Sequence, residues 1–274
     1  MDIKTLNLTL LLNQTMGEAF EHIKADKETI LKIMNKEPVE INKTDYRIIY
    51  QFSSELLRIM SLKKELEFDD ILKINKNIGY KLNLDNGEFA DKPRFVSSFD
   101  NRYITIPVID KNQKREEFSI LVKYLKTNES QKVEIILNFF IDQITEQWFK
   151  DGNKRTALIV CNKLLLQFCC SKENNLLISF DNNKFNEYLA FFYLEKYNQK
   201  NQDNIARLNL INFLSESIKN NEKINNLNNT VFEQLNSLFG YKNDLSNKEI
   251  IELTSPNSDK NNRQKLKKIT GRER

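Results

Sequence analysis

The stretch ITEQWFKDGNKRTALIVCNKLLL, residues 144–166, joins the two most apolar helical patterns of the chain. Upstream of it, apolar residues recur at helical spacing from Val133 to Ile144. Downstream, the residues from Ala157 to Phe168 are apolar on nearly every side of a helix. A helix that is apolar all round is buried. The stretch therefore predicts a central helix with a second apolar helix directly before it.

Between these helices lies a tight-turn sequence, Asp151-Gly152-Asn153, and the second helix begins with two cations, Lys154 and Arg155. The first N–H groups of a helix have no acceptor within it and lie at the positive end of its dipole. Because Gly152 permits close approach of a ligand, the turn predicts a cradle for a polyphosphate. The Asp151 carboxylate is suited to a Mg²⁺ that bridges those phosphates. Turn formation alone also explains these residues, with Lys154 and Arg155 solvated.

Most of the remaining sequence has helical periodicity, and residues 85–109 are the exception. They contain two of the four prolines and two β-favouring runs, Arg94–Ser97 and Tyr103–Ile109. Because the turn-like pair Asp100-Asn101 separates the runs, they predict a small hairpin or an extended flap. The predicted fold class is mainly α, a helical bundle with one short β-hairpin.

Composition excludes several kinds of site. The single histidine, His22, excludes any metal or haem site that needs two, and its amphipathic surroundings predict a partly exposed helical side chain. The three cysteines, an odd number in an apolar stretch, are typical of buried thiols in a reduced cytosolic protein.

No apolar run approaches the roughly 18–20 residues of a membrane span. Because Asp2 also disturbs the pattern of a signal peptide, we expect a cytoplasmic protein without a membrane segment.

The turn and its flanks resemble the signature of the Fic (Fido) family, H-x-F-x-[DE]-G-N-[GK]-R, from Phe149 to Arg155. Upstream, DDILKINKNIG at 69–79 resembles the helix that precedes the flap in that family. The flap itself is matched more loosely, at Gly87, Arg94 and Ile104–Pro107. The resemblance covers about residues 65–215 and implies a Fic-type helical bundle with a β-hairpin flap.

The resemblance also implies an activity: transfer of AMP from ATP, or of a related phosphate-containing group, to a Ser, Thr or Tyr hydroxyl of a protein, with Mg²⁺. The target protein would dock on the flap, residues 94–107, as an added β-strand. Phe149 would anchor the loop in the core, and Asp151 would bind the metal. The nucleotide-binding residues, of which the first two form the anion hole, would be Gly152, Asn153, Lys154 and Arg155.

One departure from the family bears on catalysis. Gln147 stands where the family has its catalytic histidine, the base that takes the proton of the attacking hydroxyl. An amide can orient that hydroxyl but cannot accept its proton, and loss of a general base costs about 10²–10⁴ in rate. Glu146 is a candidate substitute base, although one residue along a helix turns a side chain by about 100°. Trp148 replaces the usual proline, and Leu158 occupies the position of a second arginine found in many AMP transferases.

The sequence thus predicts a transferase with weakened general-base catalysis. The alternative is a catalytically inactive Fic-fold protein that acts as a nucleotide sensor or a DNA-associated regulator. Three regions are predicted: an N-terminal helical region at 1–64, a Fic core at 65–220, and an Asn/Lys-rich region at 221–274 that is a degenerate winged-helix segment or a disordered tail.

Charge distribution supports the DNA alternative only at the end of the chain. Residues 260–274 carry a local charge of +6, which leaves −2 for the rest. Several Fic relatives end in a winged-helix DNA-binding segment, and a basic second helix here would contact DNA phosphates. The residues in question are Lys265, Lys267 and Lys268. A solvated tail explains the same composition.

Overall fold

The computed structural model describes residues 27–62, 64–79, 87–97, 103–128, 130–169, 178, 180, 182–198 and 205–220. Within these residues the helices are α1 (Lys27–Asn35), α2 (Lys43–Ser61), α3 (Phe68–Ile78), α4 (Lys111–Thr127), α5 (Lys132–Thr145), α6 (Asn153–Phe168), α7 (Asn182–Asn198) and α8 (Ile205–Asn220). Two strands, β1 (Arg94–Ser97) and β2 (Tyr103–Ile106), form an antiparallel sheet between α3 and α4 in the sequence. The predicted fold class, mainly α with a short β-hairpin, is confirmed.

Helix α6 lies at the centre of the described bundle. It packs against α5, α3 and α2, and every residue from Thr156 to Leu165 is buried. This burial confirms the central helix that the apolar sequence predicts. Helix α5 packs against α6 on one side and α8 on another, so the two apolar helices of the opening stretch form the middle of the bundle.

The hairpin, which we call the flap, pairs from Arg94 opposite Ile106 to Ser97 opposite Tyr103. The prediction that β2 continues to residue 109 is wrong, because the strand ends at Ile106. Pro107 follows directly, and proline has no backbone N–H to donate to a strand ladder. The predicted turn at 100–101 lies outside the described residues.

The flap has one covered and one exposed face. Ile104 and Ile106 are buried against Tyr193 of α7, and Val96 packs against the same cluster. The side chains of Phe95 and Tyr103 point the other way and are 68% and 79% exposed. This alternation is the period-2 pattern of a strand with one buried face, so the hairpin is fastened to α7 and presents two aromatic rings to solvent.

Several predictions concern residues that the structure does not describe, namely residues 1–26 with His22, and the C-terminal region 221–274 with its three lysines. The region boundaries at 64/65 and 220/221 therefore stay predictions. Among the described helices, none combines the length and the apolar character needed to cross a bilayer.

Candidate functional site

The chain turns from α5 to α6 through a short loop whose two ends have left-handed backbone conformations. Gln147 has φ +50° and Gly152 has φ +72°. Glycine adopts this conformation readily, whereas a glutamine does so only when its surroundings hold it there. Between these positions, Trp148 and Phe149 are 1% and 0% exposed. Two aromatic side chains thus anchor the loop in the core, and Phe149 has the place that the sequence predicts.

Asn153, the first residue of α6, holds the loop closed from inside. Its side-chain oxygen accepts from the Phe149 N–H at 2.8 Å, and its Nδ2 donates to the Phe149 carbonyl at 2.8 Å. Nδ2 also donates to Oε1 of Gln147 at 3.1 Å. The Asn153 side chain is thus directed into the loop, which leaves the backbone N–H as the group with which this residue would contribute to the predicted anion hole.

Asn75 of α3 supports the same loop from outside, a role that sequence reasoning missed. Its Nδ2 lies 2.9 Å from the Asp151 carbonyl and 2.9 Å from Oγ1 of Thr156. Its Oδ1 accepts from the Gly87 N–H at the start of the flap segment. The signal in the sequence is an asparagine on the apolar helical stripe formed by Ile71, Ile74 and Ile78, and the structure shows that this asparagine is fully buried.

The segment that leads into the flap pairs with the loop like a short strand. The Ala90 N–H donates to the Trp148 carbonyl at 2.9 Å, and the Lys150 N–H donates to the Glu88 carbonyl at 3.2 Å. Arg94, at the start of β1, donates from Nη2 to the Lys150 carbonyl at 2.6 Å. The base of the flap and the loop therefore form one hydrogen-bonded unit.

Arg155 is the cation whose environment points most clearly to an anion. Its side chain is 15% exposed, and among the described carboxylates only Asp151 lies within ion-pair distance, at 3.4 Å. Burial lowers the pKa of Arg155 below its usual value, and the charge of Asp151 only partly opposes this. A largely buried guanidinium whose counter-ion among the described residues is one partly exposed carboxylate, hydrogen-bonded at 3.4 Å, is further stabilised by an anion that reaches it.

Asp151 has the exposure that a metal ligand needs, since its side chain is 42% exposed. Its Oδ1 accepts from the Gly152 N–H. In the described part of the chain, no three His, Cys, Asp or Glu side chains cluster as metal ligands. A Mg²⁺ there would have one protein carboxylate and would take its remaining ligands from phosphate and water, which is the usual arrangement for this ion.

Lys154 and Leu158, which also lie near the start of α6, have different surroundings. The Nζ of Lys154 lies 5.3 Å from the centre of the Phe185 ring, at the start of α7. Leu158, one turn further along, is 0% exposed. Position 158 is therefore part of the core, and α6 presents only Lys154 and Arg155 as cations at this end.

The Gln147 side chain is engaged at both ends of its amide. Nε2 donates to the Ile144 carbonyl at 2.9 Å and lies 3.3 Å from the Tyr193 hydroxyl. Oε1 accepts from Asn153 at 3.1 Å. The residue at the predicted catalytic position is therefore held by protein groups on α5, α6 and α7.

No family model matches this sequence, and no curated protein matches it. Solved structures do match. A crystal structure of a Fic-domain-containing signaling protein from Bacteroides thetaiotaomicron VPI-5482 has a TM-score of 0.60 and 15% identity, over 82% of this chain and 87% of that chain. This chain has the Fic fold.

Two further matches have Fic names and lower TM-scores. A Fic family protein from Desulfovibrio desulfuricans G20 has a TM-score of 0.41 and 10% identity, over 99% of this chain and 74% of that one. Fic-1 from C. elegans has a TM-score of 0.46 and 14% identity, over 85% of this chain and 64% of that one.

Within this Fic fold, the predicted site residues from Gln147 to Arg155 lie together on one loop and at the start of one helix.

Glu146, the candidate substitute base, lies beside these residues, but its carboxylate is engaged by other partners. Its carboxylate accepts from Nε1 of Trp148 at 2.9 Å and from Lys114 at 2.8 Å, and Lys196 lies 3.6 Å away. Because α4, α7 and the loop all contact this carboxylate, Glu146 joins parts of the scaffold.

Proposed function

We propose that this Fic-fold protein binds a nucleoside triphosphate with Mg²⁺ at residues 151–155. The observation that supports this most is Arg155, a largely buried guanidinium in the first turn of a helix, with one carboxylate of the described residues, Asp151, within ion-pair distance at 3.4 Å. Helix N-termini attract phosphate through their N–H groups and their dipole. Gly152, at the N-cap position with φ +72°, leaves the approach to those groups without a side chain.

Each residue of the segment has a part in this proposal. Arg155 and Lys154 supply the positive charge for the phosphates, and the backbone of Gly152 and Asn153 supplies N–H donors. Asp151 would hold Mg²⁺, which neutralises phosphate charge when it is bound. The loop itself is kept in shape by Asn153.

The reaction that follows is a slow transfer of AMP, or of a related phosphate-containing group, to a protein hydroxyl. The hydroxyl oxygen of a Ser, Thr or Tyr forms a bond to the α-phosphorus while the bond to the bridging oxygen breaks and pyrophosphate leaves. The proton passes to solvent, because the amide of Gln147 cannot accept it. Without a general base the rate falls by about 10²–10⁴.

The target would dock on the flap, residues 94–107. A two-stranded sheet has outer edges at which an extended segment can pair, and strand addition uses such edges. Arg94 ties the flap to the Lys150 carbonyl at 2.6 Å, so a docked segment would lie next to the loop. We place the protein in the cytoplasm, which agrees with the free, buried thiol of Cys161.

Calorimetric titration with ATP and MgCl₂ tests the binding step. Arg155→Ala should weaken binding about 10–100-fold, since it removes a charged hydrogen-bond donor. Arg115→Ala is the matched control: it removes an arginine that pairs with Asp69 on the surface, and it should leave the affinity unchanged. Equal affinities in native protein and Arg155→Ala would refute this binding site.

Labelled ATP with a cell lysate as acceptor tests the transfer step. Protein-linked label should form slowly with the native chain and should be lost in Asp151→Ala. Absence of label with the native chain, together with measurable ATP binding, would replace the transferase proposal with that of a nucleotide sensor. The engaged amide of Gln147 is the observation that favours this second candidate.

A DNA-associated regulator is the other form of the second candidate, and the +6 charge of residues 260–274 motivates it. DNA binding through Lys265, Lys267 and Lys268 would weaken steeply with salt, because phosphate contacts release counterions. Deletion of 260–274 should then abolish binding in a fluorescence anisotropy titration. Binding that is insensitive to salt and to the deletion would exclude this form.

A further inference from the structure

Tyr193 lies at the point where the flap, the end of α5 and Gln147 meet. Its side chain is 4% exposed, and its ring packs with Ile104 and Ile106 of β2. Its hydroxyl lies 3.3 Å from Nε2 of Gln147 and donates to the Ile144 carbonyl at 3.4 Å. One side chain therefore touches the flap with its ring and the loop with its hydroxyl.

A buried tyrosine needs one hydrogen-bond partner, and the Ile144 carbonyl alone would satisfy Tyr193. The Tyr193 hydroxyl has a second partner, because Gln147 donates both to this hydroxyl and, at 2.9 Å, to the Ile144 carbonyl. The three groups form a closed triangle of contacts. A displacement of Tyr193 by the flap therefore changes the hydrogen bonds of the side chain at 147.

Tyr197 lies one turn further along α7 and provides a comparison for Tyr193. Its hydroxyl donates to the Thr145 carbonyl at 3.4 Å, and its ring stacks with that of Tyr193 at 6.3 Å. Among the described residues, the side chain of Gln147 bonds to Ile144, Tyr193 and Asn153 and not to the Tyr197 hydroxyl. The two tyrosines thus belong to the same helix and the same aromatic cluster, but only Tyr193 bonds to the side chain at position 147.

We propose that Tyr193 is a positioning residue that couples the flap to the side chain at position 147. The purpose of this coupling rests on the proposed function, since the flap would receive the target and the loop would hold the nucleotide. The coupling itself is a property of the protein without ligands, and it is tested without them. A failure of nucleotide binding and a failure of the coupling are therefore distinguishable.

Proton NMR of imidazole C2–H groups tests the contact at position 147. The native chain contains only His22, so Gln147→His adds a single, immediately assigned resonance. An imidazolium at this position would donate to the Tyr193 hydroxyl, which favours the charged form and raises the pKa. Adding Tyr193→Phe should lower the pKa of the introduced imidazole by about half a unit, whereas adding Tyr197→Phe should leave it unchanged. Equal values in all three proteins would overturn the proposal.

Hydrogen exchange of the peptide 103–108 tests the coupling in the otherwise native chain. Gln147→Gly removes the amide without straining a left-handed position, and it should speed exchange in β2 about threefold or more, as the loss of a net hydrogen bond predicts. In a Tyr193→Phe background the same substitution should have no further effect. Equal acceleration in both backgrounds, or no acceleration in either, would contradict coupling through Tyr193.

Discussion

Asn153 provides the sharpest test of how the loop is held. Asn153→Ala removes three hydrogen bonds, two at 2.8 Å to the backbone of Phe149 and one at 3.1 Å to Gln147. Phe149 is 0% exposed, so its N–H would lose its partner in a buried place. An unpaired buried donor costs about 1–3 kcal/mol and each further net hydrogen bond about 1 kcal/mol. We expect the free energy of unfolding to fall by about 3–5 kcal/mol.

Urea unfolding followed by fluorescence measures this loss directly. The single tryptophan, Trp148, is 1% exposed and lies next to Phe149, so it reports on the loop itself. Asn138→Ala is the matched control: this half-buried asparagine on α5 bonds to the Glu134 carbonyl and to Arg207, and its loss should cost about 1 kcal/mol. If Asn153→Ala cost no more than Asn138→Ala, the role given to Asn153 would be wrong.

Two further predictions concern the scaffold. Burial lowers the pKa of Lys163 to about 8 from 10.5, so between these pH values only the unfolded chain keeps the proton. Lys163 should then contribute a rise in stability of up to about 1.4 kcal/mol per pH unit, and Lys163→Met should remove this contribution in urea unfolding at pH 8–9. Above this range the buried Cys161 thiol, whose pKa burial raises, opposes the rise. Gly87→Ala should destabilise by about 2 kcal/mol, because φ is +85° and a Cβ would lie 2.8 Å from that of Lys76. Gly79→Ala, at φ −97°, should cost far less in the same thermal unfolding assay.

The elements of the fold follow from local patterns. The apolar stripe from Val133 to Ile144 becomes α5, and the all-apolar stretch after it becomes the buried α6. The runs at 94–97 and 103–106 become the two strands. The end of β2 was predicted wrongly: the β-favouring run extends to residue 109, but the strand ends at Ile106 because Pro107 cannot donate to a ladder. These features depend on spacing and on the properties of single residues, which a sequence displays directly.

The contacts of the site were predictable only in part. A turn followed by cations indicates the positions of Gly152 and Arg155, since both belong to one short segment. The partners of the loop come from far along the chain: Asn75 and Asp151 are 76 residues apart, and Gln147 and Tyr193 are 46 apart. Such pairs depend on how the helices pack, which no local pattern contains.

The rate of label transfer from ATP to protein by Gln147→His, relative to the native chain, tests the central claim most directly. That claim is that the 151–155 segment binds the nucleotide and that position 147 limits the chemistry. Restoring a group that can accept the proton should raise the rate about 10²-fold or more. Asp151→Ala in the same background should abolish the gain. Equal rates for Gln147→His and the native chain, with ATP binding intact in both, would contradict the claim.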